Sequence, residues 1–70
     1  MSDQDLVRMV NQIAINQGYL ADDEAVDVVA SHLTMFWAPA MLSDLRAAVD
    51  GGDADLNAVA LRAVQKLPSA

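Results

Sequence analysis

Apolar residues recur along this chain at the three-to-four spacing of helices, not at the alternation of strands. In a first segment, Ser2 to Gln17, Leu6, Met9, Val10, Ile13 and Ala14 share one helical face. Ser2 is placed to cap it, with Asp3 and Asp5 well sited in the first turn. Gly18 is expected to end it in left-handed geometry. A second segment, Asp22 to Phe36, opens on Asp22, Asp23 and Glu24 and carries two apolar stripes. One is Val26, Val29, Ala30, Leu33 and Trp37; the other is Val28, His32, Met35 and Phe36. A helix apolar nearly all round is covered on more than one face. A third segment begins at Pro39, which suits the first helical position and pushes Ala38 out of helical geometry. Its buried stripe is Met41, Leu42, Leu45, Ala48 and Val49, and Gly51-Gly52 ends it. A fourth runs from Asp53 to Lys66, capped by Asp53 or Asp55, with Leu56, Val59, Ala60, Ala63, Val64 and Leu67 inward and Pro68 as the stop. The pattern predicts a single domain over residues 1–70, an all-α bundle of about four short helices.

The only Phe, Trp and His of the chain sit at one joint, His32 to Met41. Phe36 and Trp37 diverge by about 100° on a helix, so they cannot share a direction. Trp37 continues the core stripe and is expected to close it; Phe36 leans toward His32.

Composition narrows the ways so small a bundle can hold together. Near 70 residues, a chain buries only about 60% of the surface its unfolded form exposes. There is no Cys, hence no disulfide and no thiolate site for zinc or iron–sulfur. A chain that is 54% hydrophobic then points to a larger partner, with self-association as the alternative. Ten acidic and four dispersed basic residues give a net charge of −6. Nucleic-acid binding and an anionic membrane surface both need a basic patch, and none is visible. Residues 1–5 are polar and acidic, unlike a signal peptide, and no apolar run approaches the roughly 20 residues of a membrane span. The expected location is cytoplasmic.

Candidate chemistry is sparse. His32 is the one imidazole of the chain, but a general base needs a nucleophile or second acid beside it. Ser31 adjoins it in sequence yet points elsewhere on a helix. The acidic runs 22–24 and 50–55 lack the ligand spacing of a calcium loop and read as helix caps. Gly51-Gly52 lacks the Lys-Ser/Thr of a phosphate loop. The chain reads as a non-enzyme with no catalytic residue, no metal and no cofactor of its own.

A second face on the first two segments is more informative. Arg8, Asn11, Gln12 and Ile15 fall together opposite the core stripe of the first helix. They read either as an ordinary solvated face or as a docking patch in which Arg8 is a forked donor. Val28, His32, Met35 and Phe36 either pack against the third and fourth segments or touch another chain. With Met41, these nine residues are the candidate partner-binding set.

Two blocks carry a resemblance. Arg8-Met9-Val10-Asn11-Gln12-Ile13 and the run from His32-Leu33 to Phe36-Trp37-Ala38-Pro39-Ala40-Met41 are similar to the delta subunit of NAD-dependent, molybdenum-containing formate dehydrogenase. The likeness extends over nearly the whole chain, although the Leu56–Leu67 part is generic. It implies an accessory subunit without a redox centre, associated with a catalytic alpha subunit and possibly with the flavin-containing beta and iron–sulfur gamma subunits. It also implies support of cofactor maturation or of the catalytic chain's stability. The family's usual joint reads Phe-Trp-Asp-Pro-Arg-Met; here Ala38 and Ala40 stand in place of Asp and Arg, which predicts a weaker start to the third helix. Besides a permanent subunit, two readings remain: a self-associating helical module, and a maturation chaperone that leaves the finished enzyme.

Overall fold

Helix α1 (Asp3–Asn16) starts where two backbone groups find reciprocal partners. Ser2 Oγ accepts from the Asp5 amide at 3.2 Å, and the Asp5 carboxylate accepts from the Ser2 amide at 3.4 Å. This is a capping box closed by Asp rather than the more usual Glu. The computed structural model describes residues 2–52 and 54–67, and among them four helices are present. Helix α2 is Asp22–Phe36, α3 is Pro39–Asp50 and α4 is Ala58–Lys66. The all-α expectation holds, as do the starts of the first three helices to within a residue or so.

Three local expectations do not hold or lie outside the described residues. Gly18 is not a left-handed cap: among the described residues only Gly52, at φ 77°, has positive φ. Gln17 caps α1 instead: its amide donates to the Ala14 carbonyl at 3.1 Å, and the Gly18 amide donates to the Ile15 carbonyl at 3.0 Å. Gly18 serves by close approach, since a Cβ there would sit 3.1 Å from the Ile15 carbonyl oxygen. The fourth helix begins later than expected, and its cap is Asn57, whose side chain accepts from the Ala60 amide at 2.8 Å. Asp55 lies ahead of it in non-helical chain, while Asp53 and the stop at Pro68 fall outside the described residues.

The cause of the late start is Asn11. Its side-chain amide donates to the Asp55 carbonyl at 2.9 Å, and its Oδ1 accepts from the Asn57 amide at 2.9 Å. Asn57 Nδ2 returns a bond to the Asn11 carbonyl at 3.4 Å. Backbone groups spent on α1 cannot feed a helix, so α4 forms only after the clasp.

The core is wholly apolar among the described residues: Leu6, Val10 and Ala14 from α1, Val26, Val29, Leu33 and Trp37 from α2, Leu45 from α3, and Ala60, Ala63, Val64 and Leu67 from α4. Trp37 is buried as expected. The small Ala60 and Ala63, both 0% exposed, let α4 lie close along α2. Two ion pairs, Asp23–Arg62 and Asp27–Lys66, stitch that seam. Both rungs advance four residues on each helix, so α2 and α4 run in the same direction and α3 carries the chain back between them. From α3, Arg46 donates to the Leu67 and Val64 carbonyls at 2.8 and 3.4 Å. The Leu67 carbonyl, just past the end of α4, has no intrahelical donor, while the Val64 carbonyl also accepts from the Leu67 amide at 3.1 Å.

Candidate protein-binding surface

Helix α2 buries one stripe and leaves the other uncovered. Val28 is 40% exposed, Met35 74% and Phe36 70%. His32 links them at helical spacing, four residues after Val28 and three and four before Met35 and Phe36. His32 lies half-buried among them, its ring centroid 5.0 Å from that of Phe36 with the planes tilted by 43°. Of the two alternatives for this stripe, packing against the third and fourth helices is not what Val28, Met35 and Phe36 do. The other helices pack on the α2 side that carries Val29 and Leu33, and within the described chain nothing packs over Met35 and Phe36.

The joint after Phe36 fixes where that ring points. The Trp37 amide still bonds the Leu33 carbonyl at 3.0 Å, after which the chain turns extended through Ala38 at ψ 148°. Trp37 is thereby drawn under the bundle and Phe36 is left outside. The Ala38 carbonyl accepts from the Met41 and Leu42 amides, but no side chain caps α3 and no acidic residue occupies its first turn. Met41 itself is half-buried and packs against the core, unlike the exposed members of the candidate set.

The α1 candidates separate in the same way. Arg8 stays exposed with its guanidinium 3.5 Å from Asp5. Gln12 donates to the Asn16 side chain at 3.1 Å, and Ile15 is 63% exposed. Asn11 is committed to the clasp on residues 55–57 and offers little to another molecule. The structure thus brings Val28, His32, Met35 and Phe36 together, and keeps Arg8, Gln12 and Ile15 on a separate helix.

Reasoning from the pattern missed Asn57, Arg46 and the two rungs. Asn57 just ahead of an apolar-periodic run is a helix-start signal, overshadowed by the acidic residues before it. The matched spacing of Asp23 with Asp27 and of Arg62 with Lys66 was the trace of the seam. Arg62 holds the Asp23 carboxyl below its ordinary value, by hydrogen bond first and by charge second; the same hydrogen bond raises Arg62. Two shallow hollows open along this seam, one bordered by Ser31, Thr34 and Met35, the other by Arg62 and Gln65. Their charged groups already pair across it. Among the described residues no cluster of potential metal ligands occurs, and no helix is long and apolar enough to cross a membrane.

Residues 5–64 match the family of the NADH-dependent formate dehydrogenase delta subunit, FdsD. The chain belongs to this family. Its name describes one subunit of a multi-subunit formate dehydrogenase, and the match runs from the first turn of α1 to most of α4, with every candidate surface residue inside it. No curated protein and no solved structure gives a significant match.

Proposed function

We propose that the chain is a non-catalytic accessory subunit that binds the catalytic molybdenum-containing alpha subunit of a formate dehydrogenase. There it supports assembly, cofactor maturation or stability of that larger chain. The observation that carries this reading is the uncovered apolar flank of α2, with Met35 and Phe36 74% and 70% exposed. Met35 and Phe36 diverge by about 100° on the helix, and Val28 and His32 lie between their directions, so together they give one apolar side of the kind that marks protein contacts. Family membership supplies the identity of the complex. Formate oxidation, with its metal, flavin and iron–sulfur chemistry, belongs on this reading to the partner chains, and the beta and gamma subunits are further neighbours. The setting is cytoplasmic.

The test is co-expression of the tagged chain with the large subunits. The alpha subunit is expected to elute with it in stoichiometric amount, and enzyme made without the small chain is expected to be less active or less stable. Clean separation at low salt, together with unchanged enzyme made in its absence, overturns the proposal. Presence only on unfinished enzyme selects the role of a maturation factor over that of a permanent subunit.

A further inference from the structure

The four cationic side chains are all engaged within the chain. Arg8 faces Asp5, Arg46 serves the end of α4, and Arg62 and Lys66 meet Asp23 and Asp27. Against ten carboxylates, this leaves an acidic surplus, with the exposed Arg8 of α1, 3.5 Å from Asp5, as the one loosely held cation. Part of that surplus lies on the uncovered flank. Glu24 stands one turn before Val28, and Val28, His32, Met35 and Phe36 follow it at four, eight, eleven and twelve residues. They share one side of α2, which therefore reads acid first and then apolar toward its C-terminal end. Asp22 adds to the negative end.

We propose that this flank docks into an apolar socket on a larger subunit whose rim carries Lys and Arg. Phe36 and Met35 are the anchors, and Glu24 faces the cationic rim. The inference rests on the reading of the chain as a bound subunit and adds the face and the chemistry of its complement. A second copy of this chain fits the flank poorly. Two copies at −6 each would bring acidic helix starts together, with no Lys or Arg on the flank of either copy to answer them. Geometry agrees: a stable interface buries about 800 Å² on each partner. A single convex ridge reaches that by entering a concavity more readily than by meeting another ridge. Apolar anchors in a pocket supply most of the binding energy, and the charged rim sets encounter rate and salt dependence.

The experiment measures affinity of the full chain for the formate dehydrogenase subunits prepared without it, across a range of salt. Phe36→Ser is expected to weaken binding by at least about tenfold, as truncating an interface anchor does. Glu24→Lys is expected to weaken it by about three- to tenfold and to flatten the salt dependence. Asp44→Lys, the same charge change on an exposed α3 position, is the control and stays within about twofold on the same grounds. Circular dichroism and urea unfolding of each variant should match the parent, because these side chains are exposed. If the parent chain does not bind, the subunit reading itself fails. If it binds and Phe36→Ser binds equally well, the flank alone is wrong. If affinity is indifferent to salt, or if Glu24→Lys matches Asp44→Lys, the cationic rim is overturned. If the parent sediments as a dimer that Phe36→Ser dissolves, the occupant is a second copy and the proposal fails.

Discussion

The two flanks of α2 are built from the same helix and treated in opposite ways. The flank toward α4 has small apolar residues at the contact and carboxylates just outside it, each answered by a cation from α4. The other flank has the larger apolar side chains and nothing over them. A small bundle has little apolar surface to spare for stability, so leaving Phe36 and Met35 outside while Ala60 and Ala63 fill the core is a costly arrangement for a chain meant to stand alone. The difference teaches that size of side chain is not what decides burial here. The joint at residues 36–39 assigns Trp37 inward and Phe36 outward, and the bundle closes without the second ring.

The sharpest way to break this comparison is to truncate one residue from each flank. Leu33→Ala, at a position 0% exposed, is expected to destabilise by about 2–5 kcal/mol, from lost burial plus a cavity. Phe36→Ala removes a larger side chain and is expected to change stability by no more than about 0.5 kcal/mol, as exposed substitutions do. Urea unfolding of both variants checks the pair. Comparable losses would mean that Phe36 is covered by its own chain in solution and that the outer flank does not exist as described.

Much of this contrast is legible in the order of residues alone. The stripe of Val26, Val29, Leu33 and Trp37, the proline at the start of α3 and the opposition of Phe36 to Trp37 follow from periodicity and from proline stereochemistry. What periodicity cannot state is whether a second stripe is covered, because that depends on how many neighbours a helix has, and α2 is flanked on one side only. The clasp was illegible for a related reason. Asn11 projects to the polar side of α1, and the same projection serves for solvent, for a partner, or for a loop 44 residues on. The late start of α4 is then a consequence of a contact remote in sequence. Asp53 and Asp55 look like caps by local rule, yet Asp55 gives its carbonyl to α1.

Asn11→Ala tests that point and ranks next. It removes the two side-chain hydrogen bonds that hold residues 55–57 on α1 and leaves the one that Asn57 Nδ2 donates to the Asn11 main-chain carbonyl. At roughly 0.5–1.5 kcal/mol net for each bond, with part recovered from water, a loss of about 1–2 kcal/mol is expected. Hydrogen exchange should show residues 54–60 opening first. A loss of partner binding at unchanged stability would instead place Asn11 on the docking surface, and would move the functional face from α2 toward α1.

Ala38→Asp addresses the joint that sets the two flanks apart. Ala38 already has the extended geometry of a cap residue, and α3 has neither a side-chain cap nor an acidic first turn. A carboxylate there can accept from the Ala40 or Met41 amide and meets the positive end of the helix. The variant is expected to gain about 1 kcal/mol, seen as a higher unfolding midpoint. With the joint firmer, Phe36 is held outward at least as well, so partner affinity should not fall. An unchanged midpoint would show that α3 gains nothing from a cap at this end.

The smallest effect concerns the covered flank. Arg62 lowers the Asp23 carboxyl, through its hydrogen bond and then its charge. A carboxyl held low in the folded state adds stability that is present above its unfolded value, ordinarily near 3.8, and is lost as pH falls through the folded one. Asp23→Asn removes that contribution while keeping the side chain's shape. The parent should therefore melt slightly higher than the variant at neutral pH, and the gap should close on acidification into and below the carboxylate range. High salt at neutral pH should narrow it too, because both partners of the rung face solvent. A gap that persists at low pH would mean that the carboxylate's charge is not what joins α2 to α4. The seam would then rest on the packing of Ala60 and Ala63 alone. The contrast between the two flanks would become one of shape, without the charge that now distinguishes the covered side from the uncovered one.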